Sequence, residues 1–329
     1  MRISRRAALK TLTLSGIGVV GGTGVYGYAY ERHALGVTRA TIPVTGLSPP
    51  LSGLRIGLIT DVHRSRWVSH DDVTAAVNTL MAERPDLVVL GGDYVTWGDP
   101  DYVGASSEAL SPLSAPHGVF AILGNHDNDH DMPPALARYG IQVLRDARTR
   151  LTIRNETVDL IGIRFWTRRA TDIARLSRGS SANSILLAHD PRRLTEAAGL
   201  SIPLVLSGHT HGGQVTLARL HELAVGRIAG HKYVHGLYGS RRHAQQRNGH
   251  EPQGAVYVGA GIGAAVVPFR LGDRGKREVT MFELGCEPGD FVEHHTEQEP
   301  MKGRKPTPQT IAKRAAVVLR KRLRRERGL

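Results

Sequence analysis

The sequence predicts an α/β protein, a layered sheet with helices outside it. Three observations predict it. Short apolar runs ending in polar residues recur from Leu54 to Leu206, and their near-continuous apolar character fits strands covered on both faces. Stretches of helical spacing, with start and stop residues in place, lie between them. The 329 residues are 40% apolar and 22% charged, enough for a sizeable core in one large domain or two small ones.

Residues 1–10 carry Arg2, Arg5, Arg6 and Lys10, and Thr11 to Tyr30 follow without a charge. A basic start before an uncharged stretch is a targeting pattern rather than part of the fold. Ser4–Lys10 resembles a twin-arginine export signal, with Ala8 where a bulkier apolar residue is usual. Six glycines between Gly16 and Gly27 weaken the apolar stretch, which is still long enough to span a bilayer. No Ala-x-Ala cleavage site follows. Residues 1–30 therefore read as a twin-arginine-type signal or a retained membrane anchor. The chain is expected at the outer face of the cytoplasmic membrane, or in the periplasm or outside the cell if the segment is cleaved. Residues 31–52, with Pro43, Pro49 and Pro50, read as a linker with room for an edge strand.

The strands then follow in order. Arg55–Thr60 ends in Asp61-Val62-His63, Leu87–Leu90 in Gly91-Gly92-Asp93, and Val119–Leu123 in Gly124-Asn125-His126-Asp127. Ile185–Ala188 ends in His189-Asp190, and Ile202–Leu206 in Ser207-Gly208-His209-Thr210-His211-Gly212. Thr157–Ile163, Ala255–Val258 and Val279–Leu284 are further strands. Between them, Ser69 caps a helix with Asp72 three residues on, and Val73, Ala76, Val77, Leu80 and Met81 recur at helical spacing until Pro85. A second helix runs over 133–140, with proline at its start and glycine at its end.

Five strands thus deliver Asp61, His63, Asp93, Asn125, His189, His209 and His211 to their carboxyl ends, where sheets of this kind bind ligands. Singly, each has an ordinary explanation as a helix cap, a turn residue or a satisfied core histidine. Their joint occurrence beside glycines sets those explanations aside. Neutral imidazole is the commonest metal ligand. Seven oxygen and nitrogen donors exceed what one catalytic zinc takes from a protein, and suit two metals sharing a carboxylate. A carboxylate, imidazole and amide set without thiolates fits Mn²⁺, Fe or Zn²⁺ and does not choose among them.

Of the net charge of +13, residues 1–10 hold +4 and residues 302–329 hold +10, which leaves residues 11–301 at −1. A near-neutral body with two basic ends argues against a nucleic-acid-binding domain and disfavours a nuclease. Cys286 stands alone, so no intramolecular disulfide is possible.

Asp61-x-His63, Gly92-Asp93, Gly124-Asn125-His126-Asp127, His189 and Gly208-His209-x-His211 resemble the calcineurin-like metallophosphoesterase signature, complete and in order over roughly residues 53–285. The match is specific for superfamily and metal site, not for substrate. The stretch Ser207–Gln214, the later Tyr257–Gly263 and Val267–Arg270, and the paired arginines are similar to the exported, twin-arginine YkuE/YaeI-type branch. The resemblance implies a four-layer α/β/β/α sandwich with two mixed sheets and the metal site at strand carboxyl ends. It also implies that Asp61, His63, Asp93 and His211 hold one divalent ion, and that Asp93, as bridge, holds a second with Asn125, His189 and His209. His126 would face the substrate and Asp127 would orient it. Two cations about 3.5–4 Å apart lower the pKa of a shared water and clamp phosphoryl oxygens for in-line attack. The leaving alkoxide then needs a proton, the job expected of His126.

Two departures bear on the details. Many relatives have a second aspartate three residues after the bridge, where this chain has Thr96, and Arg164 stands where an acid is frequent. Arg64, Arg164, Arg168 and Arg169 could contact phosphate, although solvated surface charge is the simpler reading. Residues 286–306 read as a linker. In 307–329 a basic amphipathic helix suited to an anionic membrane or envelope surface competes with a disordered tail. The expected function is dinuclear metal-dependent hydrolysis of a phosphodiester or pyrophosphate on a lipid or cell-envelope substrate. A UDP-2,3-diacylglucosamine-type pyrophosphohydrolase and a catalytically idle metal-binding scaffold are the alternatives.

Overall fold

A computed structural model of the chain describes residues 21–44, 46–167, 169–216, 225, 230–239, 254–264, 268–272 and 275–285. In chain order its strands are β1 (Leu35–Pro43), β2 (Arg55–Ile59), β3 (Leu87–Leu90), β4 (Val119–Ala121), β5 (Gln142–Val143), β6 (Ala147–Ile153), β7 (Glu156–Gly162), β8 (Ser184–Leu187), β9 (Leu204–Ser207), β10 (Gly236–Gly239), β11 (Ala255–Val258) and β12 (Arg277–Gly285). They form two six-stranded sheets, ordered β1-β12-β2-β3-β4-β5 and β10-β11-β9-β8-β7-β6. Both are mixed. In the first, β2 to β5 run parallel and β12 is antiparallel to β2. In the second, β7, β8, β9 and β11 run parallel, with β6 and β10 antiparallel at the edges.

One core lies between the sheets, where Ile56, Leu58, Val89 and Ile122 of the first meet Leu160, Ile185, Leu187 and Leu206 of the second. The other face of the first sheet packs on the helix His70–Ala82 and its neighbours. The other face of the second packs on the helices Ala170–Ser177 and Leu194–Gly199. This is the four-layer α/β/β/α sandwich. Fully burying each such aliphatic side chain contributes about 1.5–3 kcal/mol, which fixes the strands and so the residues at their ends.

The capping box is present: Ser69 Oγ accepts from the Asp72 amide at 3.0 Å, and Asp72 Oδ2 accepts from the Ser69 amide at 2.9 Å. Val73, Ala76, Val77 and Leu80 are the buried face of that helix.

Residues 31–52 contain the edge strand for which their sequence left room: β1 pairs with β12 residue for residue from Leu35↔Arg277 to Pro43↔Gly285. Its inward pattern is thin, with Ala40 and Ile42 its buried hydrophobics, so alternation gave little sign of it. β6 also escaped the sequence reading. It is an edge strand rich in Arg and Thr, and exposed edges carry charge. No helix among the described residues is long and apolar enough to cross a membrane. Residues 1–20 of the expected signal, the expected linker 286–306 and the basic tail 307–329 lie outside the described residues.

Candidate metal centre

Parallel β2, β3 and β4 of one sheet and β8 and β9 of the other bring all seven predicted residues to one edge. Two groups result, Asp61 with His63 and His211, and Asp93 with His189 and His209, each with its donor atoms within 4.8 Å of one another. The groups meet at Asp93, whose Oδ2 is 3.1 Å from His189 Nε2 and 3.4 Å from His63 Nε2. Asp61 Oδ1 is 3.4 Å from His211 Nε2 and 3.9 Å from His189 Nε2. Asn125 is buried beside them, and the next amide, of His126, donates to Asp93 Oδ1 at 2.8 Å.

The backbone reaches this arrangement under strain. Asp61, His63, Asp93, His209 and His211, five of the seven, have φ between +47° and +77°. Left-handed backbone is uncommon outside glycine and persists where the surroundings over-determine it. Here two loops are zipped together: the amides of Asp61, His63 and Arg64 donate to the carbonyls of Gly92, Asp93 and Tyr94, each at 2.9 Å. Glycine is required at Gly124 and Gly208, where a Cβ would overlap Asp93 in the first case and Thr60 and Asp61 in the second.

Second partners orient the imidazole rings. His189 Nδ1 donates to the Gly91 carbonyl at 2.7 Å, which leaves Nε2 to face Asp93. His63 Nδ1 bonds Thr96 Oγ1 at 3.2 Å, which likewise aims Nε2 at Asp93. Such outer partners fix the ring of a metal-ligating histidine. Burial pulls His211 down to about 4, and burial with the nearby His189 and His231 pulls His209 well below its usual range. Both rings are therefore neutral at pH 7, the form that ligates. Burial alone would lower His189 too, but Asp93 and Asp61 outweigh it and raise the group to about 10. Burial would likewise raise Asp93, yet His189 holds it well below the usual carboxylate range.

These residues fit two cations. His63 Nε2, His189 Nε2, His211 Nδ1 and Asn125 Oδ1 are buried without a hydrogen-bond partner. Buried polar atoms of folded proteins are ordinarily satisfied. Such atoms on four of the candidate ligands, beside two buried carboxylates, suit a dinuclear divalent centre.

Asp127 lies fully buried beside these ligands. Its carboxylate accepts from the amides of Asp93 (2.7 Å), Tyr94 (2.6 Å) and Gly124 (2.7 Å), and so braces the loop that carries Asp93. Burial and Asp93 together raise Asp127 to about 6. The Asp127→Ala variant, which strands three buried donors, is expected to lose about 3 kcal/mol or more of stability, read from the denaturant midpoint. An unchanged midpoint would return Asp127 to a role confined to His126.

His126 Nδ1 accepts from the Trp97 amide at 3.0 Å. A backbone N–H only donates, so Nδ1 is the acceptor in this contact and Nε2 is the nitrogen left to carry an N–H. The acid role expected of His126 would need this contact to open, because an imidazolium would point a second N–H at that amide. Thr96, in place of the aspartate frequent there, has become a partner of His63.

Arg164 Nε pairs with Asp146 Oδ2 at 2.7 Å, and Arg64 Nη1 donates to the carbonyls of Ser65 (2.6 Å) and Val68 (2.7 Å). Both arginines thus have partners away from the metal ligands. Arg168 lies outside the described residues, and Arg169 stands at the start of the helix Ala170–Ser177.

Sequence reasoning missed the aromatic rim. Trp97 packs on His126 with centroids 4.6 Å apart, and Phe165 lies 5.2 Å from His209 and 5.9 Å from His189. His231 lies 5.1 Å from His209. Single residues on loops carry no periodic signal. The alternating glycines from Gly259 to Gly263 did carry one: the Gly263 amide donates to the Asp61 carbonyl at 2.7 Å, and a Cβ there would overlap Val62.

A two-sheet sandwich with this centre at its strand ends defines a metal-dependent hydrolase class, and the comparisons agree. The family model of the calcineurin-like phosphoesterase matches residues 54–213. The phosphodiesterase YaeI of Escherichia coli (strain K12) is 31% identical, over 70% of this chain and 82% of its own. The metallophosphoesterase YkuE of Bacillus subtilis (strain 168) is 30% identical, over 86% and 98%. A metallophosphoesterase of Helicobacter pylori (strain ATCC 700392 / 26695) is 31% identical, over 82% and 70%. The chain belongs to the calcineurin-like phosphoesterase family, in the branch of YkuE and YaeI, and is a hydrolase acting on phosphoric ester bonds.

Proposed function

We propose that the chain hydrolyses a phosphodiester or pyrophosphate bond, on a substrate of the lipid or cell-envelope kind, at a centre with Asp93 as the shared ligand. The observation that carries this is the place of Asp93 Oδ2 between His63 of one group and His189 of the other. Asp61, His63, Asp93 and His211 would hold one ion, and Asp93, Asn125, His189 and His209 the other, Mn²⁺, Zn²⁺ or Fe. Ions so held supply a water of lowered pKa and a clamp on phosphoryl oxygens. The protein's own residues do the rest. Asp127 and the zipped loops hold the ligands in place, and His126 offers its Nε2–H to an oxygen of the ester as a neutral donor. The name of YaeI, a phosphodiesterase, supports a diester over a monoester.

The test is turnover by the purified full chain, loaded with Mn²⁺ or Zn²⁺, of phosphomonoesters, diesters and nucleotide-sugar lipids. Diester or pyrophosphate cleavage is expected. Two bound ions with no turnover of any of them would favour the idle scaffold.

Export is proposed from Arg5 and Arg6, with the apolar segment after them holding the protein at the outer face of the membrane. Changing both arginines to lysine is expected to leave the protein in the cytoplasm, since the pair is a receptor-read address. Fractionation that finds the double variant exported as before would point to another route. The basic tail is proposed to add attraction to an anionic surface.

A further inference from the structure

A cleft partly open to solvent lies between Arg32, Trp67 and the turn at Arg270, and none of the candidate metal ligands lines it. Its charged lining is Arg32, His33, Asp72, Arg270 and Arg277, three guanidinium groups against one carboxylate. That carboxylate is committed. Asp72 Oδ1 is 2.7 Å from Arg277 Nη1 and 3.2 Å from His33 Nδ1, and Oδ2 accepts from the Ser69 amide and hydroxyl. Among the described residues no carboxylate lies at ion-pair distance from Arg32 or Arg270, and Asp61 and Glu278 act on Arg270 only from further away.

Arg270 is 1% exposed. It donates to the carbonyls of Gly275 (2.7 Å), Lys276 (3.2 Å), Ala260 (2.9 Å) and Gly263, which satisfy hydrogens and cancel no charge. Its Nε, and Nη1 of Arg32, are buried with no hydrogen-bond partner. Arg32 is held where it stands. Its Nε donates to His33 Nε2 at 2.9 Å, its guanidinium lies 4.3 Å over the Tyr28 ring, and Glu31 Oε1 accepts from the Gly272 amide at 2.9 Å.

Unspent guanidinium N–H groups and an excess of positive charge in a cleft match an oxyanion. We propose that this cleft binds a phosphate group at a site separate from the metal centre, whether or not the metal centre turns over esters. A lipid headgroup and free phosphate offer that chemistry alike. The lipid source has support nearby, since Val25, Tyr26, Tyr28 and Tyr30, just before Arg32, are exposed, and tyrosines gather at membrane interfaces.

Trp67, in the cleft wall, reports locally. The holoenzyme, full chain, is titrated with inorganic phosphate while tryptophan emission is followed, and Trp67→Phe separates the Trp67 signal from that of other tryptophans. A saturable Trp67 change is expected, weakened about tenfold or more in Arg32→Gln through loss of a charge-assisted hydrogen bond, and largely kept in Arg32→Lys. In a second arm the full chain is placed in vesicles of phosphatidylglycerol or of phosphatidylcholine. An Arg32-dependent change with phosphatidylglycerol alone identifies a lipid headgroup as the source, and a change with inorganic phosphate alone identifies the free anion. No Trp67 response in either arm, or equal responses in the parent and Arg32→Gln, overturns the site.

Discussion

Replacing Asp93 with alanine is expected to abolish turnover and metal loading together. Asp93 Oδ2 faces His189 Nε2 and His63 Nε2, one from each group, so its loss removes a donor and a negative charge from both sites. Losing even an outer partner of a ligand typically costs about 10–100-fold in metal affinity, and a shared ligand should cost more at both sites at once. The measurement is ions bound per chain by elemental analysis, beside kcat/KM on a diester and circular dichroism to confirm folding. Asp93→Asn, which keeps the shape and the acceptor for the His126 amide, should show the same loss of metal. Two ions retained in a folded but inactive Asp93→Ala protein would remove Asp93 from the shared position.

The His126→Ala variant should keep its metal and slow by about 10²–10³-fold, the typical cost of removing one preorganised donor at a site of developing charge. The loss should be the same on an alkyl diester and on a nitrophenyl diester. That equality follows from the Trp97 amide, which donates to Nδ1 and leaves Nε2 an N–H to share as a hydrogen bond, without the imidazolium proton that general acid catalysis needs. A general acid would behave otherwise: about 10²–10⁴-fold on the poor alkyl leaving group, and far less on nitrophenolate, which leaves unaided. The ratio of mutant to parent kcat/KM on the two esters decides. A loss on the alkyl ester at least tenfold larger would restore the acid role, and would mean that the Trp97 contact breaks when substrate binds.

The sequence by itself determined the class of fold and the chemistry offered at one edge of it. Strand runs such as Leu87–Leu90 and Ala255–Val258 coincide with the observed strands because their apolar character is local and continuous. The Ser69–Asp72 cap is equally local. Asp61, His63, Asp93, Asn125, His189, His209 and His211 could be collected from sequence because parallel strands put their carboxyl ends on one side, a rule that holds before any distance is known. Edge elements were less legible. β1 and β6 hold their places through pairing with β12 and β7, not through an apolar pattern of their own.

What the side chains do at that edge was decided by the tertiary structure alone. Whether Asp127 serves His126 or the Asp93 loop depends on backbone amides from residues some thirty positions away. Which nitrogen of His126 carries its proton depends on the amide of Trp97. The role of Thr96 depends on where His63 points, and the excess of positive charge in the Arg32 cleft on Asp72 being already taken by Arg277 and His33. Hydrogen bonds of this kind join groups far apart in the chain. They leave no periodicity, spacing or composition behind, because the partner is selected by the folded geometry and not by the neighbouring sequence.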